Sequence, residues 1–210
     1  MKKNNYPGKF IVFEGLDGSG QSTQAGKLLD LLNKSKGKLK LGFPGAILTK
    51  EPTPGLIGGL IRGQLTHDWK SSAECLQLLF CADRAHHLKK EIEPLLEKGF
   101  VVICDRYFFS TVAYGSLEVN HDWLLSLNEN FLLPDLTFLL KVSPRVCVER
   151  MHESRYEIEL FEKEEVLKKV WENYEKLSSE FENVYVIDGE RDIEEISRDI
   201  SETLMRKFAW

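Results

Sequence analysis

The stretch Lys9-Phe10-Ile11-Val12-Phe13-Glu14-Gly15-Leu16-Asp17-Gly18-Ser19-Gly20-Gln21-Ser22-Thr23 decides the fold. An apolar run from Phe10 ends in an acid, three glycines follow within six positions, and an amphipathic helical pattern begins at Ser22. The order is strand, loop, helix. Its spacing follows the phosphate-binding pattern G-x-x-x-x-G-K-[ST], in which glycines let backbone N–H groups turn toward phosphate oxygens and the helix N-terminus adds positive potential. Gly15, Gly20 and Ser22 satisfy the pattern, and Gln21 stands where it has lysine. A neutral amide still donates hydrogen bonds to a phosphate but brings no charge. Glycines between a strand and a helix are also ordinary turn chemistry. What favours phosphate here is the coincidence of upstream strand, spacing, Ser-Thr pair and helix start.

A chain of 210 residues fits one domain spanning residues 1–210, a single core with a small appended lid. With 42% hydrophobic and 29% charged residues it has the composition of an ordinary globular protein, and no linker or repeat is visible. The net charge of −5 argues against nucleic acid as a partner, so any phosphate is recognised locally, on a small ligand. Cys75, Cys81, Cys104 and Cys147 show no metal-type pairing, and three lie in apolar runs, which predicts buried free thiols. His86, His87, His121 and His152 form no ligand cluster either. No signal-peptide core follows the first lysines and no run approaches membrane-spanning length, so the expectation is a cytoplasmic protein with no membrane partner.

Strand-like apolar runs recur at residues 10–13, 46–49, 100–104, 136–142 and 184–187, with helical patterns near 22–34, 71–97, 123–130, 144–152, 163–181 and 193–208. This alternation predicts an α/β fold with a five-stranded parallel sheet between two helical layers. Continuous runs such as Phe100-Val101-Val102-Ile103-Cys104 fit strands covered on both faces. Ligands in such folds collect at the carboxyl ends of the strands. Three of those ends carry charges or the glycine loop: the loop itself, Thr49-Lys50-Glu51-Pro52-Thr53-Pro54, and Asp105-Arg106-Tyr107. The helix from Ser71 opens on Ser71-x-x-Glu74, a capping-box spacing, and periodicity assigns Leu78, Ala82, Ala85, Ile92, Leu95 and Leu96 to its core face. A second face carries Phe80, Asp83, Arg84 and His87. Phe80 and Arg84, one turn apart, suit a planar base held by stacking and by its edge. The competing reading makes Phe80 core and pairs Arg84 with Asp83 or Asp105.

Taken together, Phe13-Glu14-Gly15-Leu16-Asp17-Gly18, Thr49-Lys50-Glu51-Pro52, Leu79-Phe80-Cys81-Ala82-Asp83-Arg84, Asp105-Arg106-Tyr107 with Ser110 and Ala113-Tyr114-Gly115, and Pro134-Asp135-Leu136-Thr137 resemble thymidylate kinase, a family of P-loop nucleoside-monophosphate kinases. The resemblance covers almost the whole chain. It implies a three-layer P-loop fold with a short lid near residues 150–160, transfer of the γ-phosphoryl group of ATP to dTMP, a requirement for Mg²⁺, and a homodimer formed through the helix region 71–97. By the same resemblance Gly15, Asp17, Gly18, Ser19, Gly20, Gln21, Ser22 and Thr23 would hold the ATP phosphates. Glu14, Asp17, Lys50, Phe80, Arg84, Arg106, Ser110 and Tyr114 would bind dTMP, with Tyr114 disfavouring a ribose 2′-hydroxyl, and Ser22 and Asp105 would organise the magnesium. Asp17, Gln21, Arg106, Arg150 and Arg155 are the candidate catalytic set.

Two departures matter. Family members carry arginine where this chain has Lys50, which keeps the charge but loses the two-pronged contact. Gln21 is the larger departure, since a lost donor at a developing charge costs about 10²- to 10³-fold in rate. Arg150 and Arg155, in the lid segment, are the candidate replacements on closure. The competing functions are a kinase for another nucleotide or deoxynucleoside, a nucleotide-binding regulator that has lost catalysis, and an assembly protein that kept the fold.

Overall fold

β1 (Lys9–Gly15) runs through the middle of the molecule, and every residue after Lys9 is buried. Side chains alternate across a strand, so its two faces feed two cores. Phe10 and Val12 pack with Val102, Tyr107, Phe108 and Tyr174, whereas Ile11 and Phe13 pack with Leu28, Leu32, Ile103 and Ile200. The computed structural model describes residues 1–35, 42–154 and 163–210. After β1 come α1 (Gln21–Ser35), β2 (Ala46–Lys50), α2 (Leu56–Leu65), α3 (Ala73–His87), a π turn (Leu88–Ile92), α4 (Glu93–Glu97) and β3 (Val101–Asp105). Then follow α5 (Phe108–Gly115), α6 (His121–Asn128), β4 (Leu136–Lys141), α7 (Pro144–Ser154), α8 (Glu164–Glu180), β5 (Val184–Asp188) and α9 (Ile193–Phe208).

The five strands are parallel in the order β2-β3-β1-β4-β5, as the alternation predicted. Chain order reverses at β1, with β3 on one side and β4 on the other. That reversal opens a crevice at the carboxyl edge beside the glycine loop. The continuous-apolar rule holds for β1, β3 and β4 and fails at the margins. Edge strands have a neighbour on one side only, and Leu48 of β2 and Val186 of β5 are exposed.

Two helices, α2 and α5, were not among the expected elements. Leu56-Ile57-Gly58-Gly59-Leu60 carries two glycines, which lower helix propensity, and α5 has only eight residues. Tertiary contact stabilises both: Gly58 lies so close to the Thr53 carbonyl that a Cβ would come within 1.9 Å of it, and α5 packs on α8.

The expected long helix 71–97 is α3, the π turn and α4. Its cap is Ser72, whose hydroxyl accepts from the Cys75 N–H, so Ser71 does not start the helix. The core face is also corrected. Leu78, Ala82 and Ala85 point outward, and Gln77, Cys81, Arg84 and Leu88 are the buried stripe. An ideal helix groups Ile92 and Leu96 with Leu78. The wider turn, marked by the Glu93 N–H bonding the Leu88 carbonyl, brings Ile92 and Leu96 back onto the buried stripe.

Asp135, just before β4, ties the start of the central strand. Its Oδ2 accepts from the Phe10 N–H at 2.7 Å and from Asn4 Nδ2 at 2.6 Å, while its own N–H bonds the Phe10 carbonyl at 2.8 Å. Removing that acceptor leaves the Phe10 N–H without a partner. Asp135→Ala is therefore expected to lower stability by about 1–3 kcal/mol, read as a fall in the urea midpoint at unchanged slope, with Asp135→Asn, whose amide oxygen still accepts, losing less.

Candidate active site

At the end of β1 the chain must turn sharply beneath α7. Gly18 adopts φ +80°, and a Cβ there would meet the Cys147 carbonyl at 2.5 Å, so the loop passes where only glycine fits. Beside it, β3 ends in Asp105-Arg106-Tyr107. Arg106 has φ +68°, an uncommon conformation for a side-chain-bearing residue, and its N–H bonds the Phe13 carbonyl at 2.9 Å. This turn throws the guanidinium back across the glycine loop. Arg106 Nη2 meets Asp17 Oδ1 at 2.6 Å, and Nη1 donates to the Gly15 carbonyl at 3.1 Å and to Ser110 Oγ at 2.9 Å. Burial disfavours the charge, but Asp17 close by holds the Arg106 pKa above the usual arginine value. It is a fixed cation.

Two clefts share this centre. The first, of about 290 Å³, is lined by Lys50, Phe80, Arg106, Ser110 and Tyr114, the residues expected at dTMP, together with Asp17. The second, of about 460 Å³, runs along residues 17–24 of the loop and reaches Arg106 and Arg150. Asp17 and Arg106 line both. Tyr114 braces the junction, its hydroxyl donating to Asp17 Oδ2 at 2.8 Å and accepting from the Asp17 N–H at 3.0 Å. Arg155 lies outside the described residues.

Two residues expected at dTMP already have partners within the chain. Arg84 does line the first cleft, but it is fully buried and its nitrogens are already engaged. Nε and Nη2 meet Glu51 Oε2 at 2.9 Å, Nη1 bonds Asn128 Oδ1 at 2.6 Å and Nη2 bonds Thr111 Oγ1 at 2.8 Å. Turning toward a base would break a buried ion pair. Its partner is Glu51, neither Asp83 nor Asp105. Glu14 lines neither cleft. It sits behind the loop, accepting from the Tyr107 and Ser110 N–H groups at 2.9 and 3.3 Å, from Ser110 Oγ, and from the Tyr174 hydroxyl at 3.2 Å. Phe80 belongs to neither buried core, which leaves its ring for the cleft.

Ser22 Oγ donates to Asp105 Oδ2, and Asp105 Oδ1 is buried without a partner. An uncommitted carboxylate oxygen beside a hydroxyl, facing a phosphate loop, fits a hard divalent cation. Among the described residues no group of three or more His, Cys, Asp and Glu side chains gathers, so such a cation would complete its shell with water and phosphate oxygens.

Sequence reading missed two cations. Arg62 of α2 lines the first cleft, its Nη1 donating to the Thr53 carbonyl, and Arg191 after β5 lines the second, paired with Asp199 at 2.6 Å. Arg191 follows a strand end, which was the available signal. Arg62 gave none, because its helix was not foreseen. All four cysteines are free, with Cys75 half-buried and the others buried.

A family model described as thymidylate kinase matches residues 13–200. The chain belongs to the thymidylate kinase family. It is 40% identical to a probable thymidylate kinase of Thermococcus gammatolerans, over 92% of this chain and 94% of that one. It is 39% identical to the thymidylate kinase of Plasmodium falciparum, over 95% of this chain and 91% of that one. The solved thymidylate kinase of Candida albicans superposes with a TM-score of 0.79 at 26% identity, covering 98% of this chain and 95% of that one. Family membership and fold thus agree with the reading of the glycine loop.

Within this thymidylate kinase scaffold Glu14 titrates unusually. Burial raises its pKa from 4.5 to about 7, opposed by the Ser110 hydroxyl, the Arg106 charge and the two N–H bonds. A carboxyl whose folded pKa is raised contributes stability that is complete below its unfolded pKa and is lost as pH rises through the folded value. Glu14→Gln keeps an acceptor for both N–H groups. Between about pH 4.5 and 7 the parent is expected to lose roughly 3 kcal/mol that the variant does not, measured by denaturant titration at each pH. Parallel profiles for the two proteins would refute it.

Proposed function

We propose that this chain transfers the γ-phosphoryl group of ATP to dTMP, giving dTDP. The observation that carries the proposal is the pair of clefts meeting at Asp17 and Arg106, one along a phosphate loop and one beside the Phe80 ring, in a chain of the thymidylate kinase family. Phosphoryl transfer asks for positioning and charge stabilisation more than for covalent chemistry. Residues 15–23 hold the ATP phosphates through backbone N–H groups and the Ser19, Ser22 and Thr23 hydroxyls. Phe80 stacks on the base, and Lys50, Arg62 and Arg106 surround the acceptor phosphate. Asp17 orients Arg106, and Tyr114 holds Asp17 against the side where a 2′-hydroxyl would lie. Ser22 and Asp105 hold Mg²⁺, which when bound neutralises phosphate charge. Glu14 acts from behind by fixing Tyr107, Ser110 and Tyr174, and Arg84, on the wall of the first cleft, fixes Glu51. Arg150, near the end of α7, faces the donor cleft; the rest of the expected lid, Arg155 with it, lies outside the described residues.

Nothing observed favours a regulator, an assembly protein or another acceptor. Among the described residues no helix is long and apolar enough to cross a membrane, and the reading places the protein in the cytoplasm, where nucleotides are made. The outward face of α3, with Leu78 49% exposed next to Ala82 and Ala85, is the surface for a homodimer. Leu78→Glu is expected to halve the mass seen by analytical ultracentrifugation, and an unchanged mass would remove α3 from the interface.

The function is tested by coupling ADP release to substrate in the presence of ATP and Mg²⁺, with dTMP, dUMP, dCMP, dGMP, UMP and AMP compared. Turnover is expected with dTMP well above the other five. Equal turnover on another acceptor, or none with dTMP, would overturn the assignment.

A further inference from the structure

Gln21 is buried under Arg106. A guanidinium only donates, so the amide oxygen must be the atom that faces it. In that orientation Gln21 Oε1 accepts from Arg106 Nε and Nη2, both at 2.7 Å, while Gln21 Nε2 donates to Ser19 Oγ at 2.9 Å and the Gly15 carbonyl at 3.2 Å. With Asp17, the Gly15 carbonyl and Ser110 on its remaining N–H groups, all five Arg106 donors are occupied. The edge that Gln21 holds is the two-pronged Nε–Nη2 edge, the one suited to carboxylate or phosphate.

The charges nearby narrow the alternatives. Among the described residues, the cations lining the donor cleft are Arg106, Arg150 and Arg191. Arg191 is paired with Asp199, and Arg150 donates to the Gly189 carbonyl at 3.2 Å, on the far wall. Arg106 is the cation that bonds atoms of the loop itself. It also lines the acceptor cleft.

We propose that Gln21 is a positioning residue: it aims the Nε–Nη2 edge of Arg106 at the junction of the two clefts, so that this arginine supplies the charge a loop lysine would otherwise carry. The proposal rests on the kinase reading above. When a phosphate oxygen arrives, it replaces a neutral amide oxygen as the acceptor of that edge, and a charge-assisted bond replaces an uncharged acceptor. Asp17, Gly15 and Ser110 keep the rest of the guanidinium in place. A lysine at position 21 would set an ammonium against Arg106 and remove its acceptor, so restoring the usual loop residue is expected to harm this protein.

The test compares parent, Gln21→Lys and Gln21→Met, each also in an Arg106→Lys background that retains charge but lacks the two-pronged edge. Thermal unfolding first confirms that each variant is folded. In the parent background both single changes are expected to lower kcat/KM for dTMP roughly 10- to 100-fold, with KM for ATP changed less. In the Arg106→Lys background Gln21→Met is expected to cost little more, since the coupled edge is already gone. A kcat above the parent's in Gln21→Lys, or parent-like kinetics in Gln21→Met, would overturn the proposal. If the parent turns over no dTMP, the kinase reading fails separately, and the same variants are read by calorimetric dTMP binding. There, equal losses from Gln21→Met in both backgrounds would reject the Gln21–Arg106 coupling.

Discussion

Arg106 is the group around which both clefts are built. Its backbone leaves β3 in a left-handed conformation while its N–H still bonds Phe13 of the neighbouring strand, so the sheet itself anchors the turn. A buried guanidinium is costly unless its charge and donors are met. Asp17 meets the charge, and Gly15, Ser110 and Gln21 meet the remaining donors. Each of those partners then becomes fixed in turn. Asp17 is held by Tyr114, and Ser110 is held by Glu14 and Tyr174, so one arginine orders the loop, α5 and α8 together.

A second buried cation, Arg84, does a different job. With Glu51, His87 and Thr49 it forms a closed polar cluster, while Asp83 accepts from both the N–H and the hydroxyl of Thr53 at 2.7 and 2.6 Å. These bonds stitch the segment after β2 onto α3. Buried ion pairs contribute little net stability against apolar replacements, but breaking one leaves a stranded charge. The cluster therefore disfavours other placements of the segment, which keeps Lys50 and Arg62 along the same cleft as Phe80.

The legible parts of the molecule were those with local causes. Strand runs, the glycine loop and the helix starts follow from residues adjacent in the chain, and the five strands lie within two residues of where the apolar runs placed them. Most of the failures trace to partners distant in sequence. The inward face of α3 is polar because Glu51, Thr111 and Asn128 come from elsewhere to meet Arg84, so hydrophobic periodicity selected the opposite face. Leu78 and Ala82 looked like core because apolar spacing alone does not say which face of a helix the rest of the chain covers. Glu14 was placed near dTMP by the resemblance alone, and its bond behind the loop to Tyr174, 160 residues away, is one that no local pattern shows. Gln21 read as a loss while viewed alone. Its meaning depends on Arg106, which no local pattern brings to it.

The exchange at that arginine has a direction set by charge. A phosphate oxygen competes with Gln21 on favourable terms, because it is anionic and the amide oxygen is not. Against Asp17 the same phosphate has no such advantage, since both acceptors carry charge and the carboxylate is already placed at 2.6 Å. Substrate is therefore expected to take the neutral partner's position and leave the charged one. That ordering keeps Arg106 anchored while its two-pronged edge changes hands. A carboxylate at position 21 would remove the difference between the two acceptors, and a lysine would remove the acceptor. Among these side chains only a neutral acceptor both holds the edge in the empty site and releases it to phosphate, which gives Gln21 a physical role that the absence of a lysine does not describe.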